Sequence, residues 1–181
     1  VNSRVQMSLM LIIREIHVLS AIILVGSIIF NYFFLRPALN KIPPAHSVVV
    51  AQRVGTIFTV VGLTCLGLLL ASGITRLFLV GMLGNLLDPF FYFGRYGRWV
   101  AVMLVGWLVV LGDSLTMTFL LRPKLMQKLT LNPNPTLADV EKRRTTQVTA
   151  STLLDRLQLV NLIFGSLAAI AGASLILGGL L

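Results

Sequence analysis

The sequence predicts an all-α fold, an integral membrane four-helix bundle. Three observations predict it. The chain has 181 residues, is 56% hydrophobic and only 12% charged, which is too little charge to cover a water-soluble domain. Its mean hydropathy is +0.91. Finally, the apolar residues gather into four long runs without period-two alternation, at about 7–34, 55–80, 99–121 and 153–181, within helices expected at about 7–34, 44–80, 98–121 and 137–180. Only helices or closed barrels satisfy the backbone in a bilayer, and runs of this length and pattern are helices. Residues 1–181 therefore form a single four-helix transmembrane domain.

The net charge of +9 does not indicate a nucleic-acid partner. The basic residues border the apolar runs, where Lys and Arg orient a chain in its membrane. The single cysteine, Cys65, lies in an apolar run and has no intrachain partner for a disulfide. The first apolar run is too long for a signal peptide and no small-x-small cleavage site follows it, so it is read as a retained helix.

That first helix carries Arg14, Glu15 and His17 in its outer half. Ionisable groups at such depth are rare and mark functional candidates. Pro37 is expected to end it, and Pro43-Pro44 to open helix two near Pro44, ahead of the membrane zone at Gly55. The stretch 81–98 has four glycines, a proline and five aromatics; it reads as an interfacial loop with Phe90, Phe91, Tyr92, Phe93 and Tyr96 among the lipid headgroups. Residues 122–151 are polar. An Asn-Pro-Asn-Pro stretch breaks structure there, and Thr136 with Asp139 forms a capping box that starts helix four.

Loops one and three, with the adjoining helix ends, hold ten basic residues against five on the opposite side. This places both loops in the cytoplasm and both termini on the non-cytoplasmic side of a bacterial inner membrane. An internal repeat accompanies this layout. Leu35, Arg36, Pro37 and Leu39 match Leu121, Arg122, Pro123 and Leu125 at a constant offset of 86, and Arg53 and Gly62 match Arg156 and Gly165 at 103. Two helical hairpins of equal orientation imply a pseudo-twofold axis along the membrane normal.

On helix one, Arg14, His17, Ser20, Leu24, Ser27 and Asn31 fall on one face at three- and four-residue steps, the face expected to turn inward. Helix three presents Met103, Gly106, Asp113 and Met117 by the same arithmetic. Helix four adds Gln158 and Asn161, level with Asp113. Two readings of His17 stand: a histidine hydrogen-bonded to a neighbouring helix, or a ligand for haem iron, copper or the magnesium of a chlorophyll-type pigment. Asp113 is expected to pair with Gln158, Asn161 or a serine. Gly165 and Gly172, with neighbouring Ala and Ser, make a small-residue face for close packing inside the bundle or against a partner.

The run from Ile16 to Ser27 (IHVLSAIILVGS), the FFLRPAL ending of helix one, and Tyr96-Gly97-Arg98 before helix three together resemble the CopD-like membrane superfamily. That group includes copper-resistance D domains and, more distantly, the HemJ-type protoporphyrinogen oxidases. The first helix of the group typically reads a histidine, about eight residues, then a glycine pair; His17 and Gly26 match this here, while Ser27 stands at the second glycine and aliphatic residues from Ile22 to Val25 at the group's usual tryptophan. In the HemJ-type relatives a histidine and a helix-three lysine are tied to haem binding and activity. The resemblance carries over to His17, while the lysine position holds Met103.

The resemblance implies a protein that binds haem or copper through His17, in redox or metal handling. Under the repeat, His17 and Met103 are equivalent positions, and His/Met is an axial pair for haem and an acceptable copper pair. The alternative is a non-catalytic accessory subunit of a respiratory or photosynthetic complex, packed on other membrane protein subunits or on a second copy as a homodimer. No catalytic residue is identified from the sequence.

Overall fold

The structure, a computed structural model, describes residues 3–39, 41–121 and 137–176. Helix α1 (Ser3–Phe30) continues through a π-helical turn (Asn31–Leu35) into Arg36–Leu39. Helix α2 spans Pro44–Leu79. Helix α3 (Arg95–Leu115) runs on into a second π-helical turn (Thr116–Leu121), and α4 spans Leu137–Ile176. Each contains an apolar stretch long enough to cross a bilayer. The all-α four-helix expectation holds, and the described residues include no strand.

The ends of the elements follow local chemistry. Pro44 occupies the first turn of α2, where its missing N–H costs nothing. Gly81 closes that helix with φ +73°, the left-handed conformation that glycine adopts without penalty. The Gly81 N–H donates to the Phe78 carbonyl at 3.0 Å and the Met82 N–H to the Leu77 carbonyl at 2.9 Å, the two bonds of a Schellman stop. Helix α4 has 40 residues, about 60 Å at 1.5 Å per residue. Its apolar part is Thr152–Leu175, so the N-terminal third projects beyond the bilayer. Residues 122–136, including the Asn-Pro stretch and Thr136, lie outside the described residues, as do 177–181 of the expected fourth helix.

Two expectations need correction. Helix one does not stop at Pro37 but passes it and ends at Leu39. A proline ring normally clashes with the carbonyl four residues back. Here the preceding turn is π-helical, with the Arg36 N–H bonded to the Asn31 carbonyl, and the widened turn makes room. The interfacial loop is also shorter than 81–98, because Arg95 already begins α3, with extended Gly94 (φ −69°, ψ 152°) as its cap.

Between α2 and α3 the chain makes two 3-10 turns, Leu83–Leu87 and Pro89–Phe93. The Asp88 carboxylate accepts the Phe90 N–H at 2.9 Å, and the Tyr92 hydroxyl donates to the Leu86 carbonyl at 2.8 Å. This loop sits on the first turn of α3: a Cβ on Gly97 would lie 2.0 Å from the Phe91 carbonyl oxygen. The Tyr96-Gly97-Arg98 entry therefore has a steric cause.

The two hairpins, α1 with α2 and α3 with α4, are the most extensive interfaces, and contacts of α1 with α4 and α2 with α3 close the bundle. Helices α1 and α3 stand at opposite corners. Leu24, Cys65, Leu66 and Val110 form the centre, ringed by Val61, Leu69, Trp107, Leu111 and Phe164 among others. Trp107 donates its indole N–H to the Leu66 carbonyl at 2.9 Å. Ile22, Ile57, Phe78, Leu108, Phe119 and Ile170 point outward and exposed, the surface that a lipid bilayer covers.

The structure adds to the evidence for a repeat. A π-helical turn closes the described part of α3 (Thr116–Leu121), as one follows α1 (Asn31–Leu35). Leu24 and Val110, separated by the same offset of 86, are both buried in the central cluster.

Candidate functional site

The helix-one stripe points inward from His17 onward. Ser20 and Leu24 are buried, and His17, Ser27 and Asn31 are half-buried. Arg14 departs from the expectation: it is exposed and pairs with the exposed Glu15 at 3.0 Å. At the outer end of a helix a long guanidinium stem can turn back to water instead of entering the bundle.

His17 meets α2. Its Nδ1 lies 2.8 Å from the Ser72 hydroxyl, and Gly73 next to it leaves the ring edge room, with a built Cβ 3.6 Å from Cε1. Ser72 is 7% exposed and donates its own proton to the Leu68 carbonyl at 2.5 Å. A hydroxyl has one proton to give. With that proton on the backbone, the Ser72 oxygen has a lone pair for His17, an arrangement that suits the tautomer with its proton on Nδ1, and the Leu69 carbonyl is a second acceptor beside the pair. Ser72 was not singled out in the sequence. The available signal was a serine in the outer third of an apolar helix, at the same end of the hairpin as His17.

Met103 stands on α3 with its sulfur beside Gly172 of α4, 3.6 Å from where a Cβ would sit. His17 is thus seated against α2 and Met103 against α4, on helices at opposite corners of the bundle. Gly165 packs on Ile28 and Val25 of α1, its built Cβ 3.4 Å from Ile28 Cδ1. Both glycines serve contacts within the chain, so of the two uses expected for the small-residue face, the bundle itself accounts for these two positions.

The structure brings Asp113, Gln158 and Asn161 to the α3/α4 hairpin without the pairing expected for them. Asp113 Oδ2, Gln158 Oε1 and Asn161 Oδ1 are buried and lack a hydrogen-bond partner. The hydroxyls of Ser27, Thr59, Thr116 and Thr118 each donate to a carbonyl of their own helix. Cys65 is buried and free, and His46, at the start of α2, is exposed.

Among the described residues no group of three His, Cys, Asp or Glu side chains is arranged to hold a metal ion. A bare copper ion would then rely on His17 and Met103 alone. A haem or a chlorin supplies four equatorial nitrogens itself and asks the protein for one or two axial ligands. A histidine held at Nδ1 by Ser72 fits that request in the tautomer that keeps its proton there, since ligating imidazoles donate their other N–H to a fixed acceptor. No family model, curated protein or solved structure matches the chain.

Proposed function

We propose that the chain is a CopD-like membrane protein that binds haem through His17, with copper the second candidate, and serves in redox or metal handling. The observation that supports this reading is the relay from Leu68 through Ser72 to His17, which suits the tautomer a ligating imidazole needs. Arg76, one turn beyond Ser72, acts electrostatically on the ring and offers positive charge to carboxylate substituents of a tetrapyrrole. Bound haem would supply one-electron chemistry; the protein's part is to hold the ring, orient it and keep it in a water-poor zone.

In this reading both termini face the non-cytoplasmic side of a bacterial inner membrane, because the basic loops one and three stay in the cytoplasm. His17 then lies near the outer surface, within reach of a periplasmic electron or metal donor.

The test is an absorption spectrum with metal analysis of the protein purified from its native membrane. A Soret band lost in His17→Ala supports haem; copper or magnesium at one equivalent, lost in the same variant, redirects the ligand. Colourless, metal-free protein overturns the proposal. If such protein co-purified in stoichiometric amounts with a larger complex, the accessory-subunit reading would replace it, with the exposed Phe90 and Phe93 as the first contacts to probe.

A further inference from the structure

The three orphaned oxygens belong to one place. Gly106 of α3 abuts Ala168 of α4, and Met103 lies beside Gly172, which fixes the antiparallel register of the hairpin. Following each helix seven residues further, about two turns, leads from Gly106 to Asp113 and from Ala168 to Asn161. The two are therefore opposed across the interface, and Gln158 follows Asn161 by one turn on the same stripe. Asn161 is 6% exposed, and its unpaired Oδ1 is buried together with Asp113 Oδ2 and Gln158 Oε1.

All three atoms are acceptors. As the side chains stand, no amide N–H or hydroxyl reaches any of the three oxygens, and in an apolar interior an unpaired charge is driven to neutralise or to bind a counter-ion. The charged and titratable groups that neighbouring elements bring to this end are occupied or turned away. Arg36, at the end of α1, pairs with Asp155 of α4 and lies over the Tyr32 ring, 5.8 Å from its centroid. Arg53 of α2 and Arg156 of α4 are exposed. The hydroxyls of Ser27, Thr59, Thr116 and Thr118 have donated their protons to backbone carbonyls.

We propose that Asp113, Asn161 and Gln158 hold one small monovalent cation inside the α3/α4 hairpin, either a proton on the Asp113 carboxyl or a sodium ion among the three oxygens. A proton on Asp113 would be donated to the opposed Asn161 oxygen, satisfying two orphans with one bond. A sodium ion would take all three oxygens. Because this site is two turns and more from Met103 and on the other side of the central cluster from His17, it operates whether or not His17 holds a cofactor.

The experiment uses the full chain reconstituted in lipid, with two readouts: infrared spectra across pH, and thermal unfolding in sodium chloride against choline chloride. For the proton, a carboxylic-acid carbonyl band is expected at neutral pH, absent in Asp113→Asn, with equal stability in both salts. For sodium, the unfolding temperature should rise with sodium chloride in the native protein and lose that dependence in Asp113→Asn, with no such band. Should Asp113→Asn fail to fold, Asn161→Ala serves: it should shift the carbonyl band or weaken the sodium effect at least tenfold. Native protein with no protonated Asp113 at neutral pH and no response to sodium would overturn the proposal.

Discussion

Gly106 of α3 and Ala168 of α4 meet so closely that a Cβ added to Gly106 would lie 2.8 Å from the Ala168 Cβ and 3.0 Å from the Phe164 carbonyl oxygen. Neither neighbour is the flexible end of a side chain, so the helices themselves would have to part. In a bilayer, helix association depends on this kind of close backbone approach, because lipid is as apolar as the side chains it would replace. Gly106→Ala should therefore cost about 1–3 kcal/mol, as overpacking does elsewhere. Gly26→Ala, with nothing within 4 Å of its added methyl, should be neutral or gain up to about 1 kcal/mol from helix propensity. Thermal unfolding in detergent distinguishes them. Ala168→Gly should recover part of the Gly106→Ala loss, the remainder reflecting Phe164.

Ser72 is a positioning residue for His17. Removing its hydroxyl in Ser72→Ala leaves the imidazole free to rotate and to change tautomer. Loss of such an outer partner typically weakens metal affinity about 10–100-fold. The expected result is a lower occupancy of whatever group His17 holds, with the bundle intact by circular dichroism. Ser72→Thr, which keeps a hydroxyl able to bond its own helix, should retain most of the occupancy. Equal occupancy in all three proteins would show that the serine plays no part in ligation.

The four helices were legible because apolar length is a property of sequence alone, and the prolines and glycines that bound them act locally. The inward stripe through His17, Ser20 and Leu24 was legible for the same reason, as helix periodicity needs no partner. Ser72 was not, since its meeting with His17 depends on the register of the first hairpin, set by packing along its whole length. Asp113 and Asn161 were placed at one level by counting turns. That they would face each other without a donor could not be read, because it depends on where every nearby hydroxyl sends its proton. The π-helical turns Asn31–Leu35 and Thr116–Leu121 have no sequence rule behind them; the Arg-Pro pair that follows each in the sequence is their one outward sign.

Gly97 tests the seating of the loop on α3. Its added Cβ would lie 2.0 Å from the Phe91 carbonyl oxygen and 2.7 Å from the carbonyl carbon. Gly97→Ala must therefore displace Pro89–Phe93, breaking the cap from Asp88 to Phe90 and the edge-to-face contact of Phe91 with Tyr96. The expected readout is faster proteolysis or solvent labelling within residues 83–94, at a stability cost of at least about 1 kcal/mol. Labelling of α4 should stay as in the native protein, since the loop packs on α3.

Arg36 and Asp155 join the two hairpins at the end opposite His17. Their side chains are 29% and 45% exposed, so solvent screens them and the pair contributes below about 1 kcal/mol. Its value lies in selection of register between α1 and α4, because like charges placed there would repel. Asp155→Ala should lower the unfolding temperature only slightly. Asp155→Arg, facing Arg36, should lower it more, and Arg36→Asp combined with Asp155→Arg should restore most of the loss. If the double exchange is as unstable as the worse single variant, the ion pair does not act across the hairpins; in that event the Tyr32 ring, which Arg36 also covers, is the contact that the arginine serves.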